Sequence, residues 1–184
     1  MKKLRNNSGF TMMELLIVMS IIGILSSSVF LNWKKGEEGF ALQNSAHKLL
    51  QNIRETQEMA MGAKEVNCGG SEEYGFGIYF SESLSPDSYL IFADCDNDGR
   101  WIFWIDEKIK EVDLEENIRI YDVFPSFLSV FPLHLVFSPP DPSVSMLSGF
   151  TTYGWGTEAV ITLCSDSGQQ KEVRVNMSGM IEIK

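Results

Sequence analysis

One uninterrupted apolar segment near the amino end most constrains this chain. Residues 10–31 read FTMMELLIVMSIIGILSSSVFL and hold one charged side chain, that of Glu14. A helix of this length is about 33 Å long, enough to span the hydrocarbon core of a bilayer. The first nine residues contain Lys2, Lys3 and Arg5 and no acid. The positive-inside rule therefore predicts a single-pass protein of the cytoplasmic (inner) membrane, with its N-terminus in the cytoplasm and its C-terminal domain outside.

Two ordinary interpretations of this segment compete with a more specific one. A secretory signal peptide would be cleaved near Ser26-Ser27-Ser28, but the segment is long for a signal and begins with a carboxylate. A simple signal anchor tolerates Glu14 near the interface, where a charge costs less than the roughly 2.5–3.5 kcal/mol found at mid-depth.

The specific interpretation rests on the string Ser8-Gly9-Phe10-Thr11-Met12-Met13-Glu14. Together with the basic leader and the apolar run, it resembles the type III signal of prepilins and pseudopilins, the subunits of type IV pili and related machines. The resemblance implies that a prepilin peptidase cuts after Gly9 and that Phe10 becomes N-methylphenylalanine. It also implies that Glu14 stays within the apolar helix. Gly9, Phe10 and Glu14 are thus the predicted processing residues.

The position of Glu14 has a physical rationale under this interpretation. Cleavage leaves a cationic amine on Phe10, which is costly to bury alone. Glu14 lies one helical turn away, so subunits staggered along a fibre axis would place one chain's carboxylate beside its neighbour's amine. The pairing would offset desolvation and set the register of assembly.

Composition and motifs exclude several function classes. The 184 residues suit one compact domain beside the anchor, and the net charge of −10 disfavours nucleic-acid binding. DNA binding, known for some relatives of the minor pilin group, is therefore not expected here. No GxSxG, HExxH or P-loop motif is present. We predict that the protein is not an enzyme.

The residues after the apolar segment predict an α+β fold, in which a long N-terminal helix packs on an antiparallel sheet or two-sheet sandwich. Apolar residues recur at helical spacing from Leu42 to Ala60, and Asn52 is expected on the opposite, polar side. Gly36 and Gly39 are expected to weaken the helix and Gly62 to end it. Predicted boundaries are 1–9 for the leader, 10–32 for the transmembrane helix, 33–62 for its amphipathic continuation and 72–184 for the β-rich domain.

Predicted strands are Tyr74–Ser81, Ser88–Ala93, Arg100–Ile105, Lys108–Val112, Ile118–Val123, Leu133–Phe137, Ala159–Cys164, Glu172–Asn176 and Met180–Ile183. Turns are predicted at Ser85–Asp87, Asn97–Gly99 and Ser178–Gly179, and a long loop after Ser138.

The order of motifs in this half carries a second resemblance. The motifs are Ile53–Glu55, Tyr74–Ile78, Ile91–Gly99, Asp106–Glu107, Leu135–Phe137, Val160–Leu163 and Val173–Ile181. Their order resembles the GspH/FimT group of minor pseudopilins and minor pilins, which are thought to sit at a fibre tip or prime assembly. Implied partners are other pilin or pseudopilin subunits, prepilin peptidase, the inner-membrane assembly platform and the lipid bilayer. The residues leave open whether the machine is a type IV pilus, a type II secretion system or a DNA-uptake pseudopilus.

One acidic motif suggests a different class of function. Asp94-x-Asp96-x-Asp98-Gly99 is similar to the first half of a calcium loop, but Ile105 occupies the twelfth position and Asp106 and Glu107 come later. The alternative to a pilin is thus a membrane-anchored extracytoplasmic calcium- or ligand-binding module. No cofactor is predicted for the pilin interpretation, and under the alternative the cofactor would be calcium. An ordinary hairpin turn is the favoured interpretation of the motif.

The remaining metal-ligand residue types give no clear site. His47 and His134 have no partners in sequence and are expected to be structural or solvated. Cys68, Cys95 and Cys164 contain no CxxC pair, and both one disulfide and three separate thiols remain open.

Overall fold

The computed structural model describes residues 10–62, 64–68, 74–81, 85–124, 132–139, 144–148, 151–152 and 158–184, without side chains at 29–35 and 151–152. The predicted leader, including Gly9, lies outside these ranges. The chain divides into one unit that ends at Glu37 and a second that begins at Glu38.

A helix, α1, runs over Met12–Met61. The hydroxyl of Thr11 accepts a hydrogen bond from the backbone N–H of Glu14 at 3.2 Å, which caps the first turn. Gly36 and Gly39, which were expected to weaken the helix, lie inside its bounds. The predicted end at Gly62 is confirmed, and the N–H of Gly62 donates to the carbonyl of Glu58 at 2.8 Å.

The predicted amphipathic face of α1 is confirmed in the second unit. Leu42, Ala46, Leu49, Ile53 and Ala60 are buried in the hydrophobic core. Asn52 was expected on the polar side but is buried. The buried amide has a hydrogen-bond partner, because the Asn52 side-chain N–H donates to the hydroxyl of Tyr89 at 2.6 Å.

Within the described ranges, ten strands form two antiparallel sheets, as the fold class predicts. The six-stranded sheet has the order β3-β2-β1-β5-β6-β7, and the four-stranded sheet has the order β10-β9-β8-β4. Their bounds are β1 Gly75–Ser81, β2 Ser85–Asp94, β3 Glu107–Asp113, β4 Ile118–Phe124, β5 Leu133–Phe137, β6 Val144–Ser148, β7 Thr151–Thr152, β8 Glu158–Ser165, β9 Gln170–Asn176 and β10 Ile181–Ile183.

Eight of the nine predicted strands correspond to observed ones, and the exception is Arg100–Ile105. This stretch is irregular because several of its backbone N–H groups donate to acceptors other than a neighbouring strand. That of Ile105 donates to the carbonyl of Ile102 at 3.0 Å. Arg100 donates to the carboxylate of Asp98, and Ile102 donates to that of Asp106. Such local side-chain acceptors compete with a strand ladder.

Two other expectations about loops are wrong. Ser85–Asp87, predicted as a turn, belongs to β2. The predicted long loop after Ser138 contains β6 and β7. The predicted turn at Ser178–Gly179 is confirmed, with Gly179 at φ 77°.

The connection between β2 and β3, residues 95–106, covers the face of the six-stranded sheet opposite the main core. Phe92 and Leu147 are buried but lie outside the main core cluster. The ring of Trp101 lies 5.5 Å from that of Phe92. Gly99, at φ 80°, approaches Leu147 so closely that a Cβ would lie 2.9 Å from its Cδ1. We call residues 95–106 the cap.

Candidate functional site

The first candidate site is the start of α1. Glu14 occupies the third helical position and is exposed, so its carboxylate is near the positive end of the helix dipole. Thr11 and Glu14 have the spacing of a capping box, a motif found at helix starts. The motif is visible in the sequence, but Glu14 was interpreted there only as a processing residue. Phe10, four residues before Glu14, has 77% of its surface exposed.

Apolar side chains around this start are exposed on every side of the helix. From Met12 to Leu25 the large apolar residues keep 45% to 88% of their surface accessible. A helix that is apolar all round is stable in water only when other surfaces cover it. The first unit therefore carries a surface suited to lipid or to other apolar helices. These residues are Met12, Met13, Leu15, Leu16, Ile17, Val18, Met19, Ile21, Ile22, Ile24 and Leu25.

The predicted membrane span over 10–32 is not confirmed. Among the residues that the structure describes, no helix has both the length and the apolar character required to cross a membrane.

The second candidate site is an acidic cluster where the end of β2 meets the cap. One carboxylate oxygen each of Asp94, Asp96 and Asp106 lies within 4.8 Å of the other two. Asp94 and Asp106 are buried and Asp96 is exposed. The predicted set of Asp94, Asp96 and Asp98 is thus brought together in part, and Asp106 was missed. Asp106 lies one position past the twelfth place of a calcium loop that begins at Asp94, so the spacing of that loop did not select it.

Backbone N–H groups already surround the two buried carboxylates. Those of Asp98 and Gly99 donate to Asp94 at 3.2 and 2.8 Å. Those of Cys95 and Ile102 donate to Asp106. The carboxylates therefore organise the backbone of the cap whether or not a cation is present.

Burial changes the acidity of both groups. Burial, together with the charge of Asp106, raises the pKa of Asp94 to about 7, against the lowering effect of the hydrogen bond from the Gly99 N–H. Burial likewise raises the pKa of Asp106, against its hydrogen bonds from Ile102 and Cys95. A cation bound here would displace protons, because it favours the ionised carboxylates.

Asp98 stabilises the turn that the sequence predicts. Its carboxylate accepts from the N–H of Arg100 at 2.8 Å. Asn97 and Gly99 adopt positive φ angles of 58° and 80°. The motif forms a turn within the cap, though not the hairpin of two flanking strands that was expected.

The structure also shows the surroundings of the histidines and the cysteines. His47 is exposed and lies 3.5 Å from the side chain of Gln43, whereas His134 is buried. Cys68 and Cys95 form a disulfide with Cα atoms 5.1 Å apart, and Cys164 is a buried free thiol. The disulfide joins the segment after α1 to the start of the cap.

Comparison with known proteins supports the first site. Residues 4–30 match the family described as the prokaryotic N-terminal methylation motif. The match includes Gly9, Phe10 and Glu14 and supports a type IV pilin-like protein. No curated protein and no solved structure matches the chain significantly. The resemblance to the GspH/FimT group stays a prediction.

Proposed function

We propose that the chain is a prepilin whose mature form is a minor pilin or pseudopilin, a structural subunit of a type IV pilus or a type II secretion pseudopilus. The observation that carries the proposal is the methylation-motif match over residues 4–30. The exposed apolar surface of the first unit supports it, because a fibre core or a bilayer would cover that surface.

Processing at the Gly9–Phe10 junction is the first step of the proposed function. A prepilin peptidase removes residues 1–9 and the new amine of Phe10 is N-methylated. The secondary amine remains basic, so the mature N-terminus is cationic at neutral pH. Phe10 precedes the helix and is exposed, which leaves it accessible to a modifying enzyme.

Glu14 then serves as the counter-charge in assembly. Its own N–H is satisfied by Thr11, and its side chain is exposed. The carboxylate is therefore available to pair with the Phe10 amine of a neighbouring, axially staggered subunit. Burying one charge without the other would cost several kcal/mol, so the pair selects one register of packing.

The proposed cellular course follows from these steps. The subunit waits in the inner membrane with its β-rich domain outside, then moves into the fibre through the assembly platform. Membership of the GspH/FimT group would place it at a tip or among priming subunits. The bilayer, prepilin peptidase and other pilin subunits are its proposed partners.

Processing is tested by expressing the full chain with and without a prepilin peptidase. We expect a shortened product only with the peptidase, and none from Gly9→Leu. Gly23→Ala is the matched control, because a Cβ at Gly23 meets nothing within 4 Å. Full-length protein in the presence of an active peptidase, shown by cleavage of a known prepilin in the same cells, would contradict the proposal.

A calcium-binding function is a second candidate, favoured by the cluster of Asp94, Asp96 and Asp106. Oxygen ligands at this separation suit a calcium ion, although the backbone donors around Asp94 and Asp106 oppose it. The test is thermal unfolding with calcium or a chelator. Binding predicts a saturable rise in Tm that Asp96→Ala abolishes and Asp122→Ala, at an exposed position on β4, retains. Identical melting in calcium and chelator would eliminate this candidate.

A further inference from the structure

A shallow cavity lies where the cap meets strands β1, β2 and β3. Its volume is about 210 Å³, and the side chains of Tyr79, Trp101 and Phe103 form part of its lining. Leu90 of β2 adds an aliphatic surface. The cavity belongs to neither the start of α1 nor the acidic cluster, so the proposed subunit role does not use it.

The aromatic side of this cavity is held in place by contacts behind it. The N–H of Trp101 donates to Nδ1 of His134 at 3.0 Å. The Trp101 ring lies 5.5 Å from that of Phe92, and the Tyr79 ring lies 5.1 Å from that of His134. Phe92 and His134 are both buried. A ligand would meet a preorganised surface, which lowers the entropic cost of binding.

The opposite side of the cavity is polar but has no unbalanced charge. Nζ of Lys108 lies 2.6 Å from Oε2 of Glu111. The hydrogen bond from Lys108 lowers the pKa of Glu111 below its ordinary value, at which the carboxylate is already ionised at neutral pH. The hydroxyl of Ser88 lies 3.5 Å from Oε1 of the same carboxylate, and Ser85 also lines the cavity.

This combination selects for one ligand chemistry. An anion would meet the carboxylate of Glu111 and a cation would meet the ammonium of Lys108, so neither is favoured. Aromatic rings favour a ligand with an apolar C–H face, and the hydroxyl, carboxylate and ammonium groups favour one with several hydroxyls. A neutral pyranose has both properties, and a cavity of about 210 Å³ admits one such ring.

We propose that the cavity between the cap and strands β1–β3 binds one neutral pyranose unit of a glycan. The C–H face of the sugar packs on Trp101 and Phe103, and its hydroxyls bond to Glu111, Lys108 and Ser88. A shallow site of this kind binds weakly as a single copy. Many copies or several sugar units would raise the apparent affinity.

The test is titration of the isotope-labelled full chain with glucose, galactose and N-acetylglucosamine, followed by NMR of backbone amides. A detergent without a sugar headgroup is required, because a maltoside or glucoside would compete. We expect saturable shifts at Trp101, Phe103 and Glu111 with at least one of the three sugars, in the millimolar range.

Two pairs of variants distinguish specific binding in the cavity from nonspecific binding to the protein surface. Phe103 and Trp104 are adjacent, both strongly exposed, and only Phe103 lines the cavity. Phe103→Ala should weaken binding about fivefold, whereas Trp104→Ala should leave it unchanged. Glu111→Gln should also weaken binding, and Glu116→Gln, at an exposed position outside the cavity, serves as its control.

Three results would overturn the proposal. One is the absence of saturable shifts for all three sugars up to ~50 mM, a concentration that reveals even weak sites. Another is an equal loss for Phe103→Ala and Trp104→Ala. The third is binding of tetramethylammonium in place of the sugars, which would identify a cation site. Amide spectra of each variant that match the parent outside the cavity would establish that the fold is retained.

Discussion

The backbone N–H of Trp101 donates a hydrogen bond to Nδ1 of His134, 33 residues further along the chain, at 3.0 Å. Because Nδ1 is the acceptor, the proton of the neutral ring is on Nε2. The bond attaches the cap to β5 across the sheet. Burial, together with the charge of Arg100, lowers the pKa of His134 to about 4.

The neutral state of His134 predicts a loss of stability in acid. The folded pKa of about 4 lies below the ordinary value of 6.5, so the folded state binds fewer protons between these values. Stability is present above pH 6.5 and is lost as the pH falls toward 4. The loss amounts to at most about 3 kcal/mol at 1.36 kcal/mol per pKa unit.

His134→Asn should remove this dependence while keeping an acceptor near Trp101. The measurement is the free energy of unfolding from denaturant titrations between pH 4 and 7. His47→Asn, at an exposed position, is the control and should keep the parental profile. If the slopes of His134→Asn and the parent were the same, the buried neutral histidine would be disproved.

Asp94 predicts a pH dependence of the opposite sign. Its folded pKa of about 7 exceeds the ordinary 3.8, so the folded state binds more protons in this window and stability falls as the pH rises through it. Asp94→Asn loses one backbone hydrogen bond, since an amide offers a single oxygen. Asparagine does not titrate, so the variant lacks the stability that the parent gains when Asp94 is protonated. The loss of unfolding free energy caused by Asp94→Asn should therefore be larger at pH 5 than at pH 8. A cost that grows with pH would show that Asp94 is stabilised as the charged form.

The cap shows where sequence patterns stop predicting structure. Arg100–Ile105 has the aromatic and β-branched composition of a strand, and that composition was the basis of the wrong prediction. Its conformation is set by the acceptors of its backbone N–H groups, which are Asp98 and Asp106 nearby in the chain and His134, 33 residues away from Trp101. A pattern of local composition contains no information about such partners. The cavity beside the cap was missed for the same reason.

Other features were predictable because their causes are local or periodic. The buried face from Leu42 to Ala60 follows helical spacing, and β5 follows a short apolar run bounded by Pro132 and Ser138. The start of α1 combines a short motif with an apolar run, and both are visible in the sequence. Asn52 was misassigned, because only the position of Tyr89 reveals its buried partner.

Gly77 should tolerate no side chain. A Cβ there would lie 2.7 Å from the ring of Phe92 and 2.8 Å from Val136. Gly77→Ala should lower the free energy of unfolding by roughly 1–3 kcal/mol, the usual cost of overpacking. Gly36→Ala is the contrasting change, because nothing lies within 4 Å and alanine favours a helix. Equal stability of the parent and Gly77→Ala would show that the sheet is less tightly packed here.

The disulfide between Cys68 and Cys95 should stabilise the second unit. The two residues are 27 positions apart, for which the chain-entropy relation gives about 3–4 kcal/mol. Reduction should lower the Tm of the parent and of Cys164→Ala. It should leave the Tm of the double variant Cys68→Ser, Cys95→Ser unchanged. A parental Tm that does not respond to a reductant, with both thiols shown to be free, would contradict this prediction.

The processed N-terminus tests the central claim most directly. The protein would be isolated from membranes or fibres of cells that make an active prepilin peptidase, and its N-terminal peptide would be analysed by mass spectrometry. The proposed subunit role predicts a chain that begins with N-methylphenylalanine at Phe10, with Glu14 intact four residues later. A chain that begins at Met1, as for a simple anchor, or at Val29, as after signal peptidase cleavage, would contradict it.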